Sequence, residues 1–461
     1  MRAAIAAGHP ATVQAGAEIL AHGGTAADAA VAASLASCVA ETIMTGFLGG
    51  GHAIYFEAAS GRARNLDCFC AVPGVGASRG KAELVHLQVP FGSELVHYAI
   101  GIASCAVPGL PAGLDELWRA HGRLPWPQLV EPGLRLAREG VNLPPAHAAC
   151  LAMLAPAMTM NEGARIYSPR GKLLEPGERL EQPGLVQALE LVADEGAASA
   201  YRGEIGRGLL ALMRERGGLV TKDDLDAYRP EWSEPVELAY QGSRFLTRGG
   251  LSRLPDTVPR LPRLRGLGAT ERVLALAPML AAPGGPGGDT TNISVADSDG
   301  NICVLTSSLG LGSGDFLAGL DLHLNSMLGE ADLLAGSLEP GARMGSMMAP
   351  SIVLDAAGRP LVAAGSAGGT RLRTALLQTL TGILDEGLPP RQAVARPRFH
   401  PIGTIIHAEP GVDEEALASL EAHGWQVRRW NAPHHYFGGV SVVTRTEAAG
   451  DPRRNGAATL V

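Results

Sequence analysis

The sequence predicts an α+β layered fold in which a sandwich of β-sheets is covered by helices on both faces. Helical periodicity dominates the first half of the chain, and strand-like runs dominate after residue 290. Apolar residues make up 46% of the 461 residues, which is enough for a large core. Aromatic residues contribute only 4%, so alanine, leucine, valine and glycine must build that core.

The first sixty residues carry two helix signals and then a glycine-rich strand signal. Residues 11–22 have the helical spacing of apolar residues and end at two glycines. Thr25 is predicted to cap a second, alanine-rich helix that carries Asp28 in its first turn and ends near residue 40. Three glycines at 49–51 then indicate close backbone approach just before a strand at 52–56.

The middle of the chain is predicted to be mostly helical. The expected helices are 112–121, 126–139, 185–195 and 204–217, followed by a short helix capped by Thr221 and a strand at 236–240. Residues 243–289 are rich in arginine, leucine, proline and glycine, with one helical stretch near 270–281. We expect this segment to be exposed and mobile. Its arginines at 260, 263, 265 and 272 are interpreted as solvated, because prolines interrupt them and no aromatic residues interleave.

After residue 290 the pattern changes to strands that frame one long helix. Strands are expected at 291–297, 301–308, 350–355 and 360–365, a helix at 371–386, and late strands near 402–407, 426–430 and 439–445. Helices packed with strands, followed by strands around a helix, are the order typical of a layered sandwich.

Composition excludes several function classes. A net charge of −8 argues against a general nucleic-acid binder. The six cysteines are scattered, and the one close pair, Cys68 and Cys70, lacks the further ligands of a metal site. No uncharged run reaches the roughly 18 residues of a membrane span, and the apolar start is too short for a signal peptide. We therefore expect no metal, no cofactor, no membrane or nucleic-acid partner, and a cytoplasmic location.

The block from Gly287 to Asp297 reads like the beginning of a protein, although it lies well inside the chain. A glycine-rich approach leads to Thr290 and Thr291, then to a strand-like run and a turn. A threonine at the tip of a strand becomes a nucleophile if its own α-amine is freed to act as base. That requires cleavage between Asp289 and Thr290; without it, both threonines are ordinary strand residues.

Motifs spread over nearly the whole chain resemble those of the γ-glutamyltranspeptidase family of N-terminal nucleophile hydrolases. The matching segments are 23–30, 46–51, 107–113, 122–126, 201–204, 217–225, 397–400 and 451–454, together with the Asp-Thr-Thr-Asn block at 289–292. The resemblance implies the αββα four-layer sandwich of these hydrolases. It also implies self-cleavage into segments 1–289 and 290–461, which stay in one structural domain as an αβ heterodimer or a pair of heterodimers.

The resemblance also implies roles for single residues. Thr290 matches the catalytic threonine, which forms an acyl-enzyme with a small-molecule substrate that water or an amine acceptor releases. Gly368 and Gly369 match the paired glycines that supply the oxyanion donors. Ser308 matches a threonine that hydrogen-bonds the nucleophile's amine, and Ser346 matches a serine that contacts the donor's carboxylate.

The glutamyl-binding positions depart from the family pattern. Phe69 stands where an arginine usually binds the donor's carboxylate, and its ring removes that bidentate contact. Gly310 replaces an asparagine, Met327 replaces a glutamine, and Glu330 is the nearest match to the acidic residue. The catalytic residues are thus retained while the substrate pocket is more apolar, so we expect glutathione to be a poor substrate.

Four functions stay open on the sequence alone. The first is a self-processing threonine hydrolase or acyltransferase with an altered pocket. The second is a carbon–carbon bond hydrolase, as in relatives from pathways of alkylproline-containing antibiotics. The third is a true γ-glutamyltransferase that hydrolyses glutathione, and the fourth is a non-processing scaffold. Whether water or an amine accepts the acyl group is also open.

Overall fold

A computed structural model of the 461-residue chain describes residues 2–76, 80–91, 94–281, 289–335 and 337–461. The strands are β1 (Ala4–Ala7), β2 (Gly50–Glu57), β3 (Arg62–Cys68), β4 (Val85–Phe91), β5 (Glu94–Ile100), β6 (Val141–Asn142), β7 (Arg179–Leu180), β8 (Glu231–Ser233), β9 (Val236–Tyr240), β10 (Ser243–Thr247), β11 (Asp289–Ala296), β12 (Ile302–Gly310), β13 (Phe316–Leu317), β14 (Leu322–His323), β15 (Ser351–Leu354), β16 (Pro360–Ala367), β17 (Phe399–Ile402), β18 (Ile405–Ala408), β19 (Gln426–Arg429), β20 (Gly439–Thr444), β21 (Ala448–Ala449) and β22 (Ala457–Leu460).

The α-helices of the described residues are α1 (Pro10–Ala21), α2 (Ala26–Ala40), α3 (Leu110–His121), α4 (Trp126–Glu139), α5 (Pro145–Met158), α6 (Gly163–Tyr167), α7 (Gly184–Glu195), α8 (Glu204–Arg216), α9 (Lys222–Ala227), α10 (Leu254–Thr257), α11 (Ala269–Leu280), α12 (Leu372–Glu386), α13 (Pro390–Ala395) and α14 (Glu414–Ala422). None of them is long and apolar enough to cross a membrane.

Two antiparallel sheets form the centre of the molecule. The seven-stranded sheet has the order β22-β1-β11-β12-β2-β3-β8, and the six-stranded sheet has the order β21-β20-β16-β15-β10-β9. Their facing sides share one apolar layer, which includes Ala6, Ile54, Val304, Ile352 and Val443. The two sheets therefore pack face to face as a sandwich.

Helices cover both outer faces of this sandwich. Helices α1 and α2 pack on the seven-stranded sheet, and α4 packs on α2, in a core that includes Ala33 and Val295. Helix α12 packs on the six-stranded sheet, and α11 packs against α14 and β17, in a core that includes Leu276 and Leu376. All fifteen residues of α2 are buried. The order of layers is helix, sheet, sheet, helix, which confirms the predicted αββα fold.

The predicted cap of α2 is present. The Thr25 hydroxyl accepts a hydrogen bond from the Asp28 backbone N–H at 3.1 Å, and the Asp28 carboxylate accepts one from the Thr25 N–H at 2.9 Å. The same carboxylate also accepts the N–H groups of Arg123 and Leu124. A residue chosen for its local capping role therefore also binds the chain ahead of α4.

Two predictions about segments are wrong. The segment 243–281 is not an exposed connection, because it forms β10, α10 and α11 and buries Leu254, Leu264 and Leu280 in the outer core. Residues 282–288 lie outside the described residues. The strand predicted at 402–407 is a hairpin of β17 and β18 that turns at Gly403 (φ 55°).

The two segments on either side of the Asp289–Thr290 bond are interleaved in both sheets. Strand β1 from the first segment lies between β22 and β11 from the second. Strand β2 of the first segment pairs with β12 of the second, and β10 pairs with β15. The backbone hydrogen bonds of both sheets thus join the two segments.

Candidate active site

Thr290 lies at the start of β11, in the middle of the seven-stranded sheet, and is only 4% exposed. The pairing of β11 with β12 shifts register between Asp289 and Thr291. Asp289 pairs with Gly310, and Thr291 pairs with Ser307. Such a bulge re-aims one side chain and interrupts the ladder, and bulges are frequent beside active sites. The irregularity coincides with the bond that the sequence predicts to be cleaved.

A small, partly open cavity of about 20 Å³ lies against Thr290. By volume it has room for about one water molecule. It contains seven of the residues singled out from the sequence, and its lining is Phe69, Thr290, Ser308, Met327, Glu330, Leu333, Ser346, Met347, Met348, Gly369 and Leu372. We call this space the acyl pocket. The structure therefore brings together residues that are up to about 300 positions apart in the chain.

Ser308 forms one wall of the acyl pocket at the end of β12, and Gly310 follows two residues later, outside the lining. The Ser308 hydroxyl oxygen accepts the Gly310 backbone N–H at 2.9 Å. Gly310 has φ 71°, and a Cβ there would lie 2.5 Å from the Ser326 hydroxyl and 2.7 Å from a Glu330 carboxylate oxygen. Gly310 does not line the pocket itself. It allows Glu330 to approach the end of β12, where any side chain would clash.

The loop carrying Met327 and Glu330 is fastened by Asn325. The Asn325 amide donates to the carbonyls of Leu48 and Ala106, both at 2.9 Å. Its carbonyl oxygen accepts the Ala106 N–H at 2.9 Å. Met327 and Glu330 are 1% and 4% exposed, so both side chains are inside the molecule. Glu330 is therefore a buried carboxylate that faces the same cavity as Thr290.

Phe69 closes another side of the acyl pocket. Its ring stacks on His52 with centroids 5.4 Å apart. Its carbonyl accepts the Tyr228 hydroxyl at 2.7 Å and an Arg343 N–H at 3.1 Å. Burial, and then the nearby charges of Arg248 and Arg343, hold the pKa of His52 well below its usual value. The phenyl ring of Phe69 is thus the wall, with a neutral imidazole stacked on it, and Arg343, which pairs with Asp67, does not line the pocket.

Ser346, Met347 and Met348 form a further part of the pocket lining. The Ser346 hydroxyl oxygen accepts the Met348 N–H at 3.2 Å, and its backbone carbonyl accepts Arg248 Nη1 at 3.1 Å. Met327, Met347 and Met348 together make this side flexible and apolar. None of the described residues that line the pocket is cationic.

Gly368 and Gly369 connect β16 to α12 and bring the backbone close to the pocket. Their φ angles are 121° and 55°, in the region that glycine adopts without strain. A Cβ on Gly368 would lie 2.9 Å from the Gly438 Cα. Gly369 lines the acyl pocket. Backbone N–H groups just ahead of a helix have no partner within that helix, and the helix dipole favours negative charge there.

A second set of residues behind Thr290 was missed by sequence reasoning. Glu41, 1% exposed, accepts the hydroxyls of Thr12 and Thr291, each at 2.6 Å. Arg454 Nη1 donates to the Thr290 carbonyl at 3.3 Å. With Thr290, Glu41 and Arg454 line a cavity of about 10 Å³. The sequence does single out Glu41, because it is the one acidic residue between positions 29 and 56.

Among the described residues, neither the cysteines nor a cluster of possible metal ligands forms a further candidate site. All six cysteines are buried, and none of them forms a disulfide with another described residue. Burial raises the pKa of the Cys68 thiol to about 12, which keeps it protonated and unreactive. Within the described ranges, no group of three or more His, Cys, Asp or Glu residues could hold a metal ion.

A family profile and two curated relatives match nearly the whole chain. The sequence profile of the family described as Gamma-glutamyltranspeptidase matches residues 12–254 and 274–461. An Acylase ACY 1 proenzyme from Pseudomonas sp. strain SE83 is 29% identical over 93% of this chain and 88% of its own length. A Glutathione hydrolase proenzyme 2 from Schizosaccharomyces pombe is 25% identical over 99% of this chain and 86% of its own.

The fold matches a solved structure as well. The crystal structure of cephalosporin acylase from Bacillus halodurans aligns with a TM-score of 0.81 at 22% identity, over 99% of this chain and 95% of that one. At this identity the similarity demonstrates a shared fold and leaves the substrate open.

Proposed function

The chain belongs to the γ-glutamyltranspeptidase family, and on this premise we propose that it is a self-processing acyl hydrolase whose nucleophile is Thr290. The observation that carries the proposal is the placement of Thr290 at a register shift of β11, in one partly open cavity with Ser308 and Gly369. A nucleophile, a hydroxyl and a glycine backbone around a water-sized space are the parts that acyl transfer requires.

Processing comes first. The Thr290 hydroxyl attacks the Asp289 carbonyl carbon, the peptide C–N bond breaks, and an ester joins Asp289 to Thr290 Oγ1. A proton passes to the departing nitrogen, which becomes the α-amine of Thr290. Water then hydrolyses the ester and leaves a carboxyl group on Asp289. The acyl pocket has room for about one water molecule beside Thr290, which supports this step.

The freed α-amine then serves as base in substrate turnover. An α-amine with an ordinary pKa near 7.7–8.0 (about that of a free chain end) can accept the Thr290 hydroxyl proton near neutral pH. The alkoxide oxygen adds to the substrate carbonyl, and the acyl-enzyme forms as the leaving group departs with that proton. Ser308 lies in the same cavity, where its hydroxyl can hydrogen-bond the amine. Water releases the acyl group, and an amine acceptor is the alternative.

The oxyanion is assigned to Gly368 and Gly369. Negative charge develops on the carbonyl oxygen in both stages, and pre-positioned backbone N–H groups stabilise it. The two glycines precede α12, so the helix N-terminus adds a favourable field. The absence of Cβ atoms lets the backbone approach Gly438 and the pocket together.

The acyl pocket favours a mainly apolar acyl group without a carboxylate. Phe69 and the three methionines supply apolar surface, and the one charged lining residue among those described is Glu330. A carboxylate on the substrate would meet Glu330 with no cation to balance it, whereas an amine or hydroxyl would gain a partner. Of the activities named for relatives, that of the acylase agrees with this lining better than that of the glutathione hydrolase.

The test is a substrate panel with the processed enzyme, using Thr290→Ala as the control. The panel contains anilides of hexanoic acid, of glutaric acid and of γ-glutamate, together with an apolar β-keto acid that reports carbon–carbon cleavage. We expect the hexanoyl anilide to be turned over at least about tenfold faster than the two that carry a carboxylate. Faster turnover of the γ-glutamyl anilide would contradict the apolar pocket. Cleavage of the keto acid alone would support the carbon–carbon hydrolase.

We propose that segments 1–289 and 290–461 remain one αβ heterodimer after processing. The interleaved strands support this, because separation would break the β1–β11, β1–β22 and β2–β12 ladders at once. A protein that stays a single chain would instead be a non-processing scaffold, which is the remaining alternative.

A further inference from the structure

A third cavity lies on the helical side of the six-stranded sheet, away from Thr290. Its volume is about 100 Å³, and its lining is Ala269, Arg272, Val273, Leu276, Gln378, Arg396, Pro397, Phe399, Gly411, Val412 and Asp413. We call it the α11 cavity. It shares no lining residue with the two cavities beside Thr290, so acyl transfer does not account for it.

Part of the cavity is formed by a segment that the family profile does not match. The family match ends at residue 254 and resumes at 274, and Ala269, Arg272 and Val273 lie in that gap. The sequence had suggested that the arginines of this segment are solvated. Arg272 is not: its side chain is 14% exposed and points into the interior beside Glu386. A long cationic side chain is rarely buried unless it is balanced.

Arg272 shares its carboxylate partner with a second arginine. The Glu386 carboxylate contacts Arg272, and it also accepts both terminal N–H groups of Arg396 at 2.6 and 2.7 Å. One carboxylate therefore serves two guanidinium groups on the same wall. Burial, and then the charge of Arg396, lowers the pKa of Arg272. An additional negative charge beside Arg272 would relieve this repulsion.

The other polar side chains of the lining are Gln378 and the carboxylate Asp413. The Gln378 amide donates to the Phe399 carbonyl at 2.8 Å and accepts the Phe399 N–H at 3.3 Å. Asp413 Oδ1 caps α14 through the Ala416 N–H and also accepts the Thr270 hydroxyl. The other lining side chains are apolar, mainly Val273, Leu276, Phe399 and Val412.

We propose that the α11 cavity binds a small organic carboxylate with an apolar body, whose carboxylate pairs with Arg272. Its volume accommodates more than one water molecule and suits a short branched chain. The apolar body lies against Val273, Leu276 and Val412. The ligand would join α11, through Arg272, to the α12 side of the cavity, where Glu386 and Arg396 lie.

The test is isothermal titration of the full-length protein with isovalerate at constant ionic strength, with uncharged isovaleramide as the matched ligand. We expect saturable millimolar binding of isovalerate, and binding of the amide at least about tenfold weaker. Arg272→Gln is expected to weaken isovalerate binding by a similar factor, whereas Arg265→Gln, an exposed arginine of the same segment, leaves it unchanged.

Two further variants keep the test decisive if Arg272→Gln folds poorly. Val412→Phe fills the cavity from the opposite wall and is expected to abolish binding. Thr290→Ala is expected to bind isovalerate as the parent does, which separates this cavity from the acyl pocket. Lack of a saturable signal, equal affinity for the amide, or unchanged binding by Val412→Phe would overturn the proposal.

Discussion

Gly310 shows how one missing side chain shapes the acyl pocket. Its backbone N–H is held by the Ser308 hydroxyl, and its Cα faces Ser326 and Glu330 at distances that leave no room for a Cβ. The residue therefore determines how near the Glu330 carboxylate comes to β12. Because the sequence resemblance sets an asparagine against this position, we propose that Gly310 also distinguishes the pocket from a glutamyl site.

Gly310→Ala is expected to destabilise the protein by roughly 1–3 kcal/mol, from the positive φ and from overpacking against Ser326 and Glu330. Urea denaturation measures the free energy of unfolding. Gly319→Ala is the matched control, because Gly319 has φ 76° but nothing within 4 Å of an added Cβ. A loss no larger than in this control would show that Glu330 can move away freely.

At the scale of elements, β11 is placed by contacts on both of its sides. The register shift lies at Thr290, which lines the acyl pocket, and the hydroxyl of the next residue, Thr291, donates to Glu41. Glu41 follows directly after α2 and also holds Thr12 of α1. Two helices are thereby connected to the strand that carries the nucleophile. We infer that Glu41 is a positioning residue for Thr290.

Glu41→Gln is expected to slow self-cleavage by about tenfold or more, because glutamine has one acceptor oxygen for two hydroxyl donors. The measurement is the rate at which freshly made precursor converts to two fragments on a denaturing gel. Thr291→Val is expected to slow cleavage similarly. Glu18→Gln, a change in a half-exposed ion pair of α1, is the control. Processing of Glu41→Gln at the parental rate would remove the positioning role.

Local signals in the sequence predicted the elements whose structure is locally determined. The Thr25–Asp28 cap and the long helices are examples, because capping and periodicity act within a few residues. Strands β1 and β22 were not predicted: each has four residues, and they pair across almost the full length of the chain. The segment 243–281 was predicted wrongly because its prolines and arginines masked leucines that pack inward.

In the candidate site, too, the residues in local motifs were predicted and those that depend on distant contacts were not. Thr290, Ser308 and Gly369 were recognisable as motif residues, and they line one pocket. The partners of Glu41 were not recognisable, because residues 12, 41 and 291 meet only in the folded chain. The shape of the pocket behind Gly310 also depends on tertiary approach.

For the whole molecule, buried neutral histidines predict a stability that depends on pH. Burial lowers the pKa of His9 to about 3, of His323 to about 3 and of His407 to about 4. An unfolded chain protonates histidine near pH 6.5, at about its ordinary pKa. Below that pH the unfolded state binds more protons than the folded state, so stability falls as pH falls from about 6.5 toward these values.

His323→Gln tests this sign. Each such histidine contributes about 1.4 kcal/mol of lost stability per pH unit below about 6.5. We expect the drop in unfolding free energy between pH 7 and pH 5 to be about 2 kcal/mol smaller in the variant than in the parent. Glutamine can still accept the Gly314 N–H that His323 accepts at 2.9 Å. An identical drop in both proteins would show that His323 titrates normally.

The interleaved sheets predict that the processed protein behaves as one particle. Both sheets contain strands from residues 1–289 and from residues 290–461. Cleavage of one bond leaves these ladders in place, so the two fragments are expected to co-elute on size exclusion and to separate only in denaturant. Elution of separate fragments under native conditions would contradict the shared fold.

The intact mass of the purified protein and of Thr290→Ala tests directly whether Thr290 is the nucleophile that cleaves the chain. We expect the parent to give two fragments, residues 1–289 and 290–461, with a new amino terminus at Thr290, and the variant to give one uncleaved chain. A parent that stays intact on long incubation, a cut at another bond, or a variant that still cleaves would contradict the assignment of Thr290 as the nucleophile.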